Sequence, residues 1–435
     1  MSGTSRERRR LTVLALYAWP EFWSMGEGRG APSFFLSITS FPRAGHDLHV
    51  VMPGPPEGPR HELYHGVHLH RFPTRVDFMP DVSRSKLAQH ARIFFSYIYW
   101  FMRAVPAALD VARRVEPDVV FGMGALGATA ARSVAVKLDV PNVTRLFGTS
   151  LGQFFDSPFR MALRYRERRA FRTPASYVVL HDDGAGGDEV ARRMGVDMKR
   201  FLFWPNGIRK GAFLEPVDRA AVRRRLGVPT DGPVVLAVAR LHPEKHVERM
   251  LRAAPRVLCG FPETTFVVVG RGPERGRLED LARSLGIEDH VVFAGTVGQE
   301  ELPEVYRSAD VFVTMSDRTN AGNPLYEAMM AGLPVVALNT GRTAEVVSGG
   351  DNGLLIEPDE LASLGDVVAG LLGDEVLRGR LGRRARETAD AALPSVEERQ
   401  AMEAAVVEAA AAEARGETPE VPEWPRPAAA RTEAT

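Results

Sequence analysis

Short, almost continuously apolar segments alternate with longer helical patterns along most of this chain, and this alternation limits the possible folds. Residues 234–239 and 265–270 are two such segments, both rich in valine. Strands of this kind are buried on both faces, as in a parallel sheet. Helical segments between them favour repeated βαβ units. Because two such series follow each other, the sequence predicts an α/β protein with two Rossmann-like parallel-sheet domains.

The length of 435 residues also exceeds what one ordinary core holds. An Asn206-Gly207 turn after an apolar strand suggests where the second domain begins. The final segment is rich in Ala, Glu, Pro and Thr and has little to bury, which is typical of disorder. We therefore predict a first domain over 1–205, a second over 206–392, a helix over 393–412 that packs back on the first domain, and a disordered tail over 413–435.

The charge balance and the cysteine content exclude several classes of protein. Basic and acidic residues both number 55, so no global electrostatic attraction to nucleic acid exists, and we expect no nucleic-acid partner. Cys259 is the only cysteine, which excludes an intrachain disulfide and fits a reducing compartment. Three arginines before the apolar run 11–19 imitate an export signal, but without a small-x-small cleavage site the run favours a first buried strand. We expect a cytoplasmic protein, with the inner face of the membrane as an alternative location.

Polar residues follow the strands of the second series. Arg240 and Lys245 come after the segment 234–239, Gly270 ends the segment 265–270 and Arg271 follows it. Loops at the carboxyl ends of parallel strands bind ligands in open α/β sheets. The two cations could hold a diphosphate, Arg240 by its fork and Lys245 as a point charge. The alternative is that both cations are simply solvated.

A polar loop with glycine follows the next strand and opens a helix near Asn323. Pro324 suits the first turn of a helix. A helix N-terminus offers N–H groups and a positive dipole end to phosphate. Glu327 lies one turn inside, where its carboxylate can accept two ribose hydroxyls or merely complement the helix dipole.

Five segments of the second domain occur in a recognisable order: Arg240 to Lys245, 270–273, 293–297, 309–313 and 327–336. Together they resemble the donor half of the retaining family-4 glycosyltransferases over roughly residues 234–389. The resemblance implies the GT-B fold, with the active site in the cleft between two domains. It also implies that Arg240 and Lys245 hold the donor diphosphate, that Val297 contacts the base and that Glu327 binds ribose. Donor contacts are further implied for Gly270, Arg271, Gly322, Asn323, Pro324 and Leu325.

One position departs from that family. The first glutamate of its E-x7-E pattern, which contacts the donor sugar, is Thr319 here. A hydroxyl cannot accept hydrogen bonds as a carboxylate does, so we expect Asn320 to take over the sugar contact. The sequence Thr-Asn-x-Gly-Asn-Pro resembles a subgroup of the family, which implies altered donor recognition. The alternative is a loop that has lost sugar binding.

The first domain carries weaker candidates. Gly28 and Gly30 resemble the family's glycine loop, which approaches the donor phosphates and the acceptor. Thr149 and Ser150 stand where the family often places a histidine near the sugar, and His181 follows the next strand. We expect these three residues on the acceptor side. Their structural alternatives are a helix cap for Thr149 and Ser150 and an ordinary loop turn for His181.

The segment 92–103 is aromatic nearly all round, which favours a buried helix. The alternative is a surface lying on lipid, or around a hydrophobic acceptor, aided by the arginines between 160 and 172.

Together with these residues, the resemblance implies a retaining glycosyltransferase that moves a sugar from a nucleotide diphosphate sugar to an acceptor. Preplaced cations would stabilise the leaving diphosphate, so neither a metal nor a cofactor is expected. Two alternatives stay open: a nucleotide-sugar epimerase or phosphorylase on the same fold, and a catalytically silent partner of another glycosyltransferase. The donor's nucleotide and sugar, the acceptor (small molecule, glycan or lipid-linked) and the oligomeric state are open.

Overall fold

The computed structural model describes residues 9–18, 32–74 and 86–424, which form two compact units. The first unit runs through Asp182 and adds Gly187–Trp204 and Glu397–Trp424. The second holds Asp183–Gly186 and Pro205–Val396. Each unit is built on its own largely parallel sheet, so the prediction of an α/β protein with two parallel-sheet domains is confirmed.

In the described part of the first unit, eight strands form a sheet in the order β3-β4-β2-β1-β5-β6-β7-β8. Neighbouring strands are parallel except β3 and β4. Both faces of the sheet are covered, since Val13 and Ala15 enter one core and Leu14 and Leu16 another. The strands are β1 Thr12–Leu16, β2 Asp47–Gly54, β3 His61–Tyr64, β4 Val67–Pro73, β5 Val119–Met123, β6 Asn142–Leu146, β7 Tyr177–His181 and β8 Phe201–Trp204.

Helices connect these strands and cover the sheet. They are α1 Pro32–Arg43, α2 Lys86–Val115, α3 Gly124–Leu138, α4 Pro158–Leu163, α5 Tyr165–Arg172 and α6 Gly187–Arg193. The expectation of a buried helix over 92–103 holds for one face of α2 only. Trp100 and Ala104 are fully buried, whereas Phe95 and Met102 are 67% and 68% exposed. Among the described residues, no helix combines the length and the hydropathy that crossing a bilayer needs.

The second unit has a fully parallel sheet, in the order β11-β10-β9-β12-β13-β14 over its described residues. Its strands are β9 Val234–Val238, β10 Thr265–Val269, β11 Val291–Gly295, β12 Val311–Thr314, β13 Val335–Leu338 and β14 Leu354–Ile356. Its helices are α7 Arg219–Leu226, α8 Val247–Gly260, α9 Arg275–Ser284, α10 Leu302–Arg307, α11 Asn323–Met330, α12 Thr343–Val346, α13 Leu364–Gly373 and α14 Glu375–Ala392. The strand order reverses between β9 and β12. Ligands bind outside the carboxyl ends of the strands at such a switch point.

A last helix, α15 Val396–Ala414, belongs almost entirely to the first unit, where Val406 and Val407 enter a core. The end of α15 and the residues that follow it contradict part of the predicted disorder. Arg200 pairs with Glu413 of α15 at 2.6 Å, and Val421 and Trp424 pack against the same core. The prediction of a disordered tail is therefore wrong for residues 413–424, while residues 425–435 lie outside the described part.

Candidate functional site

The candidate site lies at the carboxyl edge of the second sheet, where β9 and β12 end side by side. The loop after β9 and the loop after β12 are joined, because the Ser316 hydroxyl donates to the Glu244 carbonyl at 3.0 Å. The Arg318 guanidinium lies 3.5 Å from the Glu244 carboxylate. The structure thus brings together two of the segments that the sequence places at strand ends.

The turn after β10 is pressed against the loop after β9. Gly270 has a φ of +136°, and a Cβ there would lie 1.9 Å from the Ala239 carbonyl oxygen. The Leu241 N–H donates to the Arg271 carbonyl at 2.9 Å, which ties the two loops together. Only glycine fits this approach of backbone to backbone. This packing explains why a glycine stands at position 270. The side chain of Arg271, the next residue, is exposed.

The two cations that follow β9 have different surroundings. The Arg240 side chain is 77% exposed and donates to Glu244 at 3.2 Å. Lys245 ends a short 3-10 turn, Pro243–Lys245, and is partly buried. Burial lowers the pKa of its ammonium, and the positive charges of Arg240 and Arg318 lower it further against the opposing effect of Glu244. An ammonium that has lost water and faces other cations is stabilised by an arriving anion.

Asn320 is buried in the loop after β12, and its side-chain amide is held by that loop and by the end of β13. Its Oδ1 accepts from the Thr314 hydroxyl at 2.8 Å and from the Ser316 N–H at 2.9 Å. Its Nδ2 donates to the Leu338 carbonyl at 2.8 Å and lies 3.2 Å from Oγ1 of Thr340. These contacts use both lone pairs and both protons of the amide. They favour a loop-holding role over the sugar contact that the sequence predicts for Asn320.

Thr319, the residue before Asn320, is fitted into a tight loop. Its hydroxyl oxygen accepts from the Ala321 N–H at 3.1 Å. A Cβ at Gly184, where φ is +73°, would lie 2.7 Å from that hydroxyl oxygen. The short side chain therefore suits the local packing as well as the hydrogen bond.

We expect Asn320→Ala to weaken binding of the bare nucleoside diphosphate and of the sugar nucleotide alike. The substitution removes the hydrogen bonds that hold the loop before α11, so both ligands meet a loosened site, at a cost of roughly 1–3 kcal/mol. Calorimetry with both ligands measures this. If Asn320→Ala weakened binding of the sugar nucleotide alone, Asn320 would contact the sugar directly, as the sequence predicts. Thr319→Ser, which keeps the hydroxyl, is the matched control.

The helix α11 begins at Asn323, one residue before Pro324, as the sequence predicts. Gly322 precedes it as an N-cap without a side chain, so no side-chain cap covers the first turn. The positive end of the helix dipole at this edge of the sheet favours an anion. Leu325 is buried in the core beneath it, and Val297, after β11, packs partly buried against that core.

Glu327 is fixed by a residue that the sequence analysis missed. The hydroxyl of Tyr306, a fully buried residue of α10, donates to the Glu327 carboxylate at 2.8 Å. Burial raises the pKa of Glu327 to about 7, although the hydrogen bond from Tyr306 opposes the rise. A buried tyrosine needs a polar partner, but the sequence does not show which one. One oxygen of the carboxylate is thus committed to Tyr306.

The acceptor-side candidates of the first unit are engaged in internal contacts. The hydroxyls of Thr149 and Ser150 donate to the carboxylate of Glu167 in α5, at 3.1 Å and 3.0 Å. These bonds favour a structural role for both residues, but not the helix cap that the sequence offers, because the Ser150 side chain makes no capping hydrogen bond to the 3-10 turn Leu151–Phe154. Burial, followed by the charges of Arg145 and Arg399, lowers the pKa of His181 to about 3, so its ring is neutral at neutral pH.

Two further expectations concern ligands outside these contacts. Gly28 and Gly30 lie outside the described residues, so their predicted donor contact stays a prediction. Within the described ranges, no group of three or more His, Cys, Asp or Glu side chains is arranged to hold a metal ion.

Comparison with known proteins adds to this geometry. Residues 218–388 match the family model "Glycosyl transferases group 1". The D-inositol 3-phosphate glycosyltransferase of Acidothermus cellulolyticus is 38% identical over 200 residues, which are 44% of this chain and 44% of that protein. The GDP-mannose-dependent alpha-mannosyltransferase of Mycolicibacterium smegmatis is 29% identical over 324 residues, 73% of this chain and 77% of that protein. The first of these matches thus spans less than half of the relative's own length.

Solved structures extend the likeness to most of the chain. The crystal structure of Anabaena HepE in complex with UDP and glucose has a TM-score of 0.66 to this protein, with 20% identity. The match covers 90% of this chain and 98% of that one. The protein therefore has the GT-B fold, and the part of its second unit that holds the candidate site is similar to the glycosyl transferases group 1 family.

Proposed function

We propose that the protein is a retaining glycosyltransferase that moves a sugar from a nucleotide diphosphate sugar to an acceptor. The observation that carries the proposal is the contact between the Lys245 loop and the loop that leads into α11, where the Ser316 hydroxyl donates to the Glu244 carbonyl at 3.0 Å, within residues 218–388. Cations and helix dipoles fixed in place stabilise the charge that develops on a leaving diphosphate. Arg240 and Lys245 supply the cations in this scheme.

The donor lies across this edge in the proposal. Its diphosphate meets Lys245 and the first turn of α11, and its ribose hydroxyls donate to the free oxygen of Glu327. One relative is named as a GDP-mannose-dependent alpha-mannosyltransferase, and HepE was crystallised with UDP and glucose. These names support a nucleotide-sugar donor but leave its base and sugar open. The acceptor is a small molecule, a glycan or a lipid-linked sugar.

Transfer by this route needs no metal, because the protein's own cations neutralise the diphosphate. Retention of the anomeric configuration follows the family's front-face displacement, in which the acceptor attacks from the side that the diphosphate leaves. Closure of the protein over the donor would limit hydrolysis by excluding water.

Product analysis tests the proposal. The protein is incubated with UDP-, GDP- and ADP-sugars and a panel of acceptors, with a chelator present. A new glycoside whose anomeric configuration matches the donor supports it. An epimerised nucleotide sugar or a sugar phosphate would instead identify an epimerase or a phosphorylase. Activity that is lost in the chelator and restored by Mg²⁺ or Mn²⁺ would overturn metal independence.

A catalytically silent role is the second candidate, and Thr319 is the observation that favours it. The residue offers no carboxylate to the donor sugar, and the neighbouring Asn320 amide is committed to the loop. Donor binding without any turnover across the acceptor panel would support this role.

We expect binding of a nucleotide sugar to strengthen about tenfold between about pH 6 and about pH 8. The pKa of Glu327 is raised to about 7 by burial, so the unliganded site is largely protonated at the lower pH. Ribose hydroxyls donate to the carboxylate and favour its ionised form, which lowers the pKa on binding. Calorimetry across this range measures the slope. A diphosphate diester does not titrate there, which makes the nucleotide sugar a better probe than the bare diphosphate.

Glu327→Gln is the control for this dependence, because an amide does not titrate. The variant should bind more weakly at the higher pH and show a flat profile. An equal slope in both proteins would assign the titration to another group. Tyr306→Phe should keep the slope but move its midpoint upward, since the hydrogen bond that favours the carboxylate is lost.

A further inference from the structure

Large apolar side chains exposed to solvent concentrate on two helices of the first unit. Six of the eleven such residues in the described chain lie on α2 and α4, namely Phe94, Phe95, Ile98, Met102, Phe159 and Leu163. Single exposed apolar residues are ordinary on a protein surface, but a cluster marks a contact with something else. The cluster therefore needs an occupant.

On α2, the exposed apolar residues lie opposite the face that enters the core. Trp100 and Ala104 are fully buried, whereas Phe95, Ile98 and Met102 follow the spacing of one outer helix face. A surface helix normally carries polar residues there. This helix is apolar on both sides, which the burial of one side alone does not explain.

The exposed stripe of α2 meets α5 through Tyr165, the first residue of that helix. Its ring centroid lies 5.5 Å from that of Phe94 and 6.0 Å from that of Tyr97. Immediately before it, α4 exposes Phe159 at 74%. We call this surface the aromatic–arginine face; it consists of the six exposed apolar residues and the exposed arginines Arg160, Arg164, Arg169 and Arg172.

The face is strongly basic in a chain whose net charge is zero. Residues 158–172 contain six arginines and one acidic residue, Glu167. The Glu167 carboxylate accepts hydrogen bonds from the hydroxyls of Thr149 and Ser150, at 3.1 Å and 3.0 Å. Arg160 and Arg164 lie over the ring of Phe154, 5.5 Å and 4.7 Å from its centroid, and both remain exposed. Arginine always keeps its charge and matches phosphate oxygens with its planar fork.

We propose that the aromatic–arginine face docks on a membrane surface rich in anionic lipid. Exposed arginines would contact the lipid phosphates, and Phe95, Met102 and Phe159 would enter the boundary between headgroups and acyl chains. An anionic membrane surface binds proteins that present apolar side chains beside clustered arginines. The inference is independent of the proposed transferase activity, because it involves neither the donor site nor a sugar.

Vesicle flotation of the full chain tests the docking. Binding is expected to phosphatidylcholine vesicles that contain phosphatidylglycerol, and at least tenfold less to vesicles of phosphatidylcholine alone. Added salt should weaken it, since screening shortens the reach of surface charge. Equal binding to both kinds of vesicle, or to neither, would overturn the proposal.

Variants separate the two components of the face. Arg160→Gln, Arg164→Gln and Arg169→Gln combined, and Phe95→Ser with Met102→Ser, are each expected to lower anionic-vesicle binding at least tenfold. The matched control is Val376→Ser with Arg380→Gln on α14, which removes one exposed apolar and one exposed basic side chain elsewhere. Unchanged thermal unfolding establishes that the variants are folded. Binding that survives both combinations, or a dimer in solution that they break, would assign the face to another partner.

Discussion

Lys245→Ala is expected to lower the turnover of sugar transfer by about 100-fold or more, because one fixed cation beside the leaving diphosphate is lost. The fold should survive, since burial already lowers the pKa of this ammonium, and within the described part of the chain its side chain forms no hydrogen bond or ion pair that the substitution would remove. Steady-state assays with saturating donor, together with thermal unfolding, measure the two effects.

The control for this experiment is Lys245→Arg, which keeps the charge while changing its shape. It should retain more activity than the alanine variant but less than the parent, because a point charge and a planar fork hold a phosphate differently. His242→Ala, at an exposed position in the same loop, should change turnover little. A folded alanine variant with near-normal turnover would remove Lys245 from the mechanism.

Glu403→Leu is expected to cost about 3–5 kcal/mol of the free energy of unfolding, because it leaves two buried guanidinium groups without their carboxylate. Glu403 lies on α15, with Arg145 of β6 at 2.7 Å and Arg399 at 2.8 Å. All three side chains are buried. Denaturant unfolding followed by tryptophan fluorescence measures the loss, since Trp100 and Trp204 are buried in the first unit.

Glu413→Gln is the matched control, as it breaks an ion pair of the same helix. Its partner Arg200 lies at 2.6 Å, but both side chains are more than a third exposed, so the cost should stay below about 1 kcal/mol. Burial alone would raise the pKa of Glu403, but the charges of Arg399 and Arg145 outweigh it and lower the pKa. The stability that Glu403 contributes is thus present above its unfolded pKa and is lost as the pH falls through the folded one. If Glu403→Leu and Glu413→Gln lowered the free energy of unfolding equally, the buried cluster of Arg145, Arg399 and Glu403 would not have the stabilising role that we expect.

The sequence predicts the strands and the start of α11 well because both depend on local patterns. Continuous valine-rich runs identify β9 and β10, and Pro324 marks the start of α11. What it misses depends on contacts between distant residues. The Asn320 amide is committed to Leu338, and Glu327 to Tyr306. No spacing rule links these residues before the chain is folded.

Two differences between expectation and structure have the same origin. Composition indicates disorder after Glu413, yet Trp424 finds a place on the first core. The aromatic composition around Trp100 predicts a buried helix, yet Met102, on the opposite face of α2, is exposed. Hydrophobic character shows that a residue favours burial, but it does not show whether this chain supplies the surface that covers it.

The return of α15 to the first unit also affects how the protein is made. A ribosome releases β1 to β8 first and then the whole second unit, and only afterwards the helix that carries Glu403. Until then the nascent first unit lacks Val406 and Val407 in its core, and Arg145 has no Glu403 carboxylate. The first unit is therefore completed only after the second unit has been synthesised, and a stalled chain that ends within the second unit would present exposed apolar surface to chaperones.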